Sequence, residues 1–107
     1  MQVVSLGDLV LDVVVRVRSD VARGADTPAQ IALSAGGQGA NVAAWVAALG
    51  ASSRWVGKRA DDAEGRLASE GLVRAGVELA GPVEMHGNGV IVSLVDPTLF
   101  PYTTLSI

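Results

Sequence analysis

Cysteine is absent from all 107 residues. That excludes disulfides, thiolate metal sites and cysteine nucleophiles, and leaves no argument for an oxidising compartment. Aromatic residues make up only 4% of the chain, two Trp with one Tyr and one Phe, so a core has to be built from Ala, Val and Leu. The single histidine, His86, precedes Gly87-Asn88-Gly89, and a metal site would need more ligands close by. Eight Lys and Arg residues are scattered against eleven Asp and Glu, for a net charge of −3. A surface that tracks phosphates needs a clustered basic patch, so no nucleic-acid partner is expected. No apolar run approaches the ~20 residues that span a bilayer. The N-terminus "MQVVSLGDLV" has no basic stretch and meets Asp8 too early for a signal peptide. A cytoplasmic location without a membrane partner is the expectation.

What is present is apolar mass, 50% of the residues. Such a chain is globular rather than disordered. At this length it forms one domain or a piece of one, burying roughly 65% of its unfolded surface. The stretch "SAGGQGANVAAWVAALG" concentrates the problem: three glycines, Gly36, Gly37 and Gly39, precede an unbroken apolar run from Val42 to Leu49. Gln2 to Leu6 reads as a buried first strand closed by Gly7. Residues 12–18 and 29–35 alternate at period two and read as a hairpin around the Gly24 and Pro28 turn. Asn41 opens a helix that ends at Gly50 and, apolar on every side, calls for cover on every side.

Ser53 to Gly57 reads as a second buried strand. Asp61 or Asp62 then caps a second helix, ending at Gly76 with Ala63, Leu67, Leu72 and Ala75 as its apolar stripe. Residues 82–86 and 89–95 flank Gly87-Asn88-Gly89, which reads as the turn of a second hairpin, since Asn-Gly tolerates positive φ at both central positions. Strands alternating with helices, plus two partly exposed hairpins, predict an α/β fold with a small accessory sheet.

Two segments carry candidate chemistry. A phosphate-binding P-loop is excluded, because Gly57-Lys58 is followed by Arg59. A dinucleotide fingerprint from Gly37 would need glycine where Val42 stands, and would follow the first strand rather than a hairpin. Asp61 and Asp62 lie at a suitable distance for a ribose and keep that alternative open. The glycines either let the chain turn tightly into a helix, or leave bare N–H groups open to a polar ligand with Asn41 beside them. Spacing alone does not separate the two. Asp8 and Asp12 in "GDLVLD" follow directly on the first strand. They either accept hydrogen bonds from ligand hydroxyls or are solvated turn residues.

Taken together, "SLGDLVLD", "AGGQGAN" with its Ala-rich continuation, "LGASSRWVGKRADDAEG" and "GLVRAGVEL" resemble the start of the ribokinase-like (PfkB-type) carbohydrate kinases. The resemblance runs in order over about residues 3 to 95. It implies the N-terminal portion of a ribokinase-like fold, a parallel sheet with flanking helices, plus a small β-sheet lid. The lid would be two hairpins, with strands at about 12–18, 29–35, 82–86 and 89–95. It further implies that Asp12, joined by Gly36, Gly37 and Asn41 and with Asp8 beside them, binds the hydroxyls of a sugar or related polyol. The implied reaction is transfer of the γ-phosphoryl of ATP, with Mg²⁺, to that acceptor, a task of positioning and charge neutralisation.

The chain departs from the family's pattern at three points. Val10 stands where many members carry a polar residue, and Ala60 replaces a glycine. The Gly-Ala-Gly-Asp segment that bears the family's catalytic Asp is not in this sequence, and Gly24-Ala25-Asp26 does not stand in for it. The expectation is therefore a sugar-binding segment, 1–95, without catalytic, nucleotide or metal residues of its own and marginally stable with its edges uncovered. A non-catalytic module that forms a homodimer through its lid strands is the alternative.

Residues 96–107, "DPTLFPYTTLSI", hold the only Phe and Tyr and three of the four Thr, without periodicity. We expect a non-native tail from about Thr98, the product of a frameshift or of vector or sequencing-adaptor translation. Sequencing the genomic locus checks this: a different frame downstream of Asp96 is the expected outcome, and an unbroken native frame refutes it.

Overall fold

The computed structural model describes residues 1–96 in full and the backbone of 99–106; the suspected frame change at Thr98 lies outside the described residues. The chain runs β1 (Gln2–Leu6), β2 (Val10–Val17), β3 (Ala29–Gly36), α1 (Gln38–Ala48), β4 (Ser52–Val56), β5 (Arg59–Ala60), α2 (Ala63–Arg74), β6 (Glu78–Ala80), β7 (Val83–Glu84), β8 (Val90–Asp96) and β9 (Leu99–Ser106). Three strands form a parallel sheet in the order β1-β4-β6, and four form a second sheet in the order β3-β2-β8-β9. This is the expected α/β arrangement with an accessory sheet.

The two sheets meet on a small core of Leu9, Leu11, Ala40, Ala43, Trp55, Ala68, Leu72 and Val77. With so few aromatics, one large side chain matters disproportionately. Trp55 on β4 is fully buried and fills the space that alanines on both helices leave. Helix α1 packs on β1 and β4, while α2 touches β2 and β3 of one sheet and β6 of the other, so α2 ties the layers together. Truncating a buried leucine such as Leu72 typically costs about 2–5 kcal/mol, because the cavity relaxes only partly.

Several expectations are corrected in detail. β1 is not buried on both faces: it pairs with β4 alone, and Val4 and Leu6 are exposed. Helix α1 begins at Gln38, a turn earlier than Asn41, because Gly37 (φ 101°) takes the cap position and the Asp8 carbonyl accepts the Ala40 amide at 3.3 Å. Its buried face is only Gly39, Ala40 and Ala43, leaving Trp45 69% and Leu49 82% exposed. In α2 the buried positions are Gly65, Ala68 and Leu72, and Leu67 is exposed. Two small residues, Gly65 and Ala68, with Leu72 thus form the stripe, in place of Ala63, Leu67 and Ala75 beside Leu72.

The hairpin 12–18/29–35 forms as expected, with β2 and β3 antiparallel. The hairpin 82–86/89–95 does not. β7 pairs in parallel with β5, whereas β8 pairs in parallel with β2 and antiparallel with β9. The lid does contain two hairpins, but the second is β8–β9.

The cause is Asp62. Its carboxylate caps α2 through the Gly65 amide (2.8 Å) and also accepts the Gly87 (2.9 Å) and Asn88 (3.1 Å) amides. The Asn88 carboxamide accepts the Ala60 amide at 3.0 Å and donates to the carbonyls of Leu9 and Gly89. Among the described residues only glycines have positive φ, so Asn88 does not adopt the mirror-image turn conformation that a two-residue hairpin requires. Side-chain bonding to Asp62 outcompetes it.

The amide of Gly65 above all, helped by those of Asn88 and Gly87, holds the Asp62 carboxyl below the ordinary carboxylate range. A depressed carboxyl stabilises the fold above its unfolded value, about 3.9, and that contribution is lost as pH falls through the lower folded value. Asp62→Ala is expected to lower the melting temperature at neutral pH more than Asp61→Ala does, with the gap closing in strong acid. Melting curves across pH check this, and equal effects at pH 7 refute the assignment.

Candidate functional site

The junction of β1, β2 and α1 is built by removing side chains. A Cβ on Gly39 would lie 2.8 Å from the Gly7 Cα, and one on Gly37 would overlap the Asp8 carbonyl. The glycines thus allow the start of α1 to rest directly on the backbone that leaves β1. Gly7 is itself anchored, its amide donating to the Val56 carbonyl of β4 at 3.2 Å. The helix start therefore points at the C-terminal end of the parallel sheet, the place where open α/β sheets gather ligands.

Asp12 lies on β2, opposite Ser34 of β3 and Ile91 of β8. Its carboxylate occupies the space where a Gly36 side chain would be, so the two expected residues are in direct contact. Burial pushes the Asp12 carboxyl above the ordinary value. Neither Asp8 nor Asp12 takes part in a hydrogen bond or ion pair through its carboxylate among the described residues. A half-buried carboxylate without a donor is destabilising by itself and is relieved by a hydroxyl or amide that binds there.

The structure thus brings Asp8, Asp12, Gly36 and Gly37 together at one junction. Asn41 stands one helical turn away, its amide donating to the Gly37 carbonyl at 2.8 Å. Its exposed side chain lines a cavity of about 370 Å³ together with Ser34, Leu33, Glu70 and Arg74. Asp8 lines a different cavity of about 310 Å³ with Lys58, Arg59, Asn88 and Gly89. Of the five expected residues, Asn41 and Asp8 thus line two different cavities, and Asp12, Gly36 and Gly37 are on the wall of neither.

Lys58, Arg59 and Asn88 line the Asp8 cavity without any signal in the sequence motifs for it. The first two follow Gly57 at the end of β4, a position that a strand-end rule flags, whereas the Gly-Asn-Gly context of Asn88 signals a hairpin turn. Among the described residues no three His, Cys, Asp or Glu side chains cluster as a metal site. No helix of the described residues is long and apolar enough to cross a membrane. The glycine turn follows β3 of the accessory sheet, not the first strand of the parallel one, unlike a dinucleotide-binding turn.

The family model described as pfkB family carbohydrate kinase matches residues 1–98. Among solved structures, a carbohydrate kinase from Agrobacterium tumefaciens superposes with a TM-score of 0.83 at 23% identity, covering 99% of this chain and 35% of that one. A microbiome-derived acarbose kinase is similar at 30% identity and a TM-score of 0.78, with 99% and 36% covered. Arabidopsis thaliana ribokinase, solved with ribose and ATP, gives 26% identity and 0.79, with 97% and 35% covered. The chain thus spans about a third of the length of these structures. No curated protein matches the sequence.

A carboxyl whose value is raised in the fold weakens it as pH climbs from about 3.9 through that raised value, and the penalty then stays constant. Asp12→Asn is therefore expected to melt higher than the parent at pH 7, with the difference shrinking towards pH 4. Paired melting curves check this, and a variant that melts lower at pH 7 refutes it.

Proposed function

The chain belongs to the pfkB family of carbohydrate kinases, and on that premise we propose that it forms the acceptor-binding part of an ATP-dependent sugar kinase. The observation that carries this reading is the Asp12 carboxylate, half-buried against Gly36 and without a partner among the described residues. A carboxylate so placed accepts hydrogen bonds from sugar hydroxyls, and in desolvated surroundings such charge-assisted bonds are the strong ones.

The remaining residues take complementary roles. Gly36 and Gly37 leave room for a polyol to approach the backbone at the start of α1. Asn41, with both a donor and an acceptor, reaches a further hydroxyl, and Asp8 receives another at the edge. Holding the acceptor in a fixed orientation is the larger part of the task in phosphoryl transfer, where positioning and charge stabilisation dominate. ATP with Mg²⁺ would supply the phosphoryl group to one sugar oxygen in the whole enzyme. A cytoplasmic sugar or related polyol is the partner we infer.

A second reading is favoured by one observation. β3 is an edge of the four-stranded sheet and shows Ile31 64% and Leu33 54% exposed. An open strand edge with apolar side chains suits pairing with a second copy, giving a homodimer through the lid.

Both readings meet the same experiment. Pentoses and hexoses titrated into the purified chain are expected to raise its melting temperature and to shift backbone resonances of residues 8–12 and 34–41. Asp12→Ala should weaken binding by about tenfold or more, the loss expected of one charged hydrogen bond. ATP-dependent phosphorylation of any sugar by the 107 residues alone should be undetectable. Measurable turnover, or sugars that shift no resonance at the junction, refute the proposal; a sedimentation dimer broken by Ile31→Lys without any sugar response supports the second reading.

A further inference from the structure

We infer that the acceptor held at Asp12 is a deoxy sugar, one that sets a methyl or methylene group against Val10, Val14 and Ile91 beside the hydroxyls that Asp12 takes. The inference rests on the acceptor-binding reading above and deepens it by naming a substrate class. It follows from what surrounds Asp12 on its own face of the four-stranded sheet. Side chains alternate between the two faces of a strand, and residues paired across strands share a face. Leu11 and Val13 of β2, with Ala35 of β3 and Val90 of β8, turn to the core. Asp12 therefore stands on the opposite face, turned away from it.

The register fixes its neighbours on that face. Along β2 they are Val10 and Val14; across the ladders they are Ser34 of β3 and Ile91 of β8. Adjacent strands lie about 5 Å apart, and the next residue on the same face of one strand is about 7 Å away. Three of the four nearest positions are thus branched and apolar, and Ser34 alone offers a hydroxyl. Val10 stands between two bare positions: Gly36 is its partner on β3, and a Cβ on Gly89 would lie 2.9 Å from Val10 Cγ1. Neither glycine has a side chain to screen it. Val10, Val14 and Ile91 are all half-buried, so part of each side chain stays open to a ligand.

A sugar hydroxyl pressed against these three side chains loses water and gains no partner, which is costly. A methyl or methylene group in the same place buries apolar surface instead. Polar character returns only further along the face, with Ser93 beside Val14, then Arg16 and Gln30. Close to Asp12 the face therefore serves a ligand with few hydroxyls and an apolar flank. Val10 is also on the wall of the Asp8 cavity, so an acceptor that reaches from Asp8 to Asp12 lies across it. Burial is the cause that raises the Asp12 carboxyl, in keeping with a carboxylate set among valines and an isoleucine.

The test titrates matched pairs into the 107-residue chain by NMR: L-fucose against L-galactose, L-rhamnose against L-mannose, and 2-deoxy-D-ribose against D-ribose. In at least one pair the deoxy sugar is expected to bind about tenfold more tightly than its parent, the low end for one carbon against an apolar wall. It should also shift the methyl resonances of Val10, Val14 and Ile91 more than the parent does, a readout that needs no variant. Val10→Thr keeps the branched shape, adds a hydroxyl and should cut the preference to about threefold or less. Ile91→Thr should do the same and covers the case in which Val10→Thr misfolds. The ratio within a pair is what counts, because a merely structural effect weakens both sugars alike. If no pair shows a preference of about threefold or more, the inference is overturned and the acceptor-binding reading stays intact. A preference that survives undiminished in the folded variants, or that leaves the three sets of methyl resonances unmoved, also overturns it. Absence of binding by any sugar overturns both.

Discussion

The contact between two stretches of bare backbone, Gly7 leaving β1 and Gly39 entering α1, sets the geometry of everything around it. A Cβ at Gly39 would sit 2.8 Å from the Gly7 Cα, so a side chain there would push the helix off the strand. With the backbones touching, the Asp8 carbonyl can accept the Ala40 amide and substitute for a side-chain cap. The free amides of the first helical turn are thereby aimed at the strand ends, where the helix dipole favours negative or hydroxylic groups. β2 departs from the same point, which is why Asp12 arrives against Gly36.

Two carboxylates near this junction, those of Asp8 and Asp12, have no partner among the described residues. Elsewhere several ionic groups are paired: Arg54 Nη2 with Glu78, Arg66 with Asp61, and Asp62 with three amides, although Arg54 Nε is shielded without an acceptor among the described residues. At the junction it is two carboxylates that stand without partners. A fold accepts such costs where a ligand relieves them, and perturbed groups of this kind concentrate at binding sites.

Asp62 shows how one side chain redirects topology. Gly87-Asn88-Gly89 has the local chemistry of a hairpin turn, yet the Asp62 carboxylate takes the Gly87 and Asn88 amides, and the Asn88 side chain bonds Ala60 of β5 and the Leu9 carbonyl, which pins the segment across the fold. The chain then leaves β7 to join β8 to β2 in parallel, forming the floor of the lid. The same bonds place Gly87–Gly89 along the wall of the hollow that holds Lys58 and Arg59.

The sequence by itself determined what depends on neighbours along the chain. Both helices and their glycine ends, the β2–β3 hairpin, the cap at Asp62 and the glycine opening before α1 follow from periodicity, cap chemistry and the absence of Cβ atoms, all local properties. The ordered motifs also pointed to the family. Only the tertiary structure decided which strand pairs with 83–84 and which with 90–96, because Asp62 and Asn88 act across 25 or more residues and no local pattern records that. It alone put Asp12 against Gly36, left Trp45 and Leu49 exposed on a helix that is apolar throughout, and brought Lys58 and Arg59 to the same hollow as Asp8. Burial and desolvation are properties of what packs from elsewhere in the chain, and those, rather than residue type, set where charge is left unpaired.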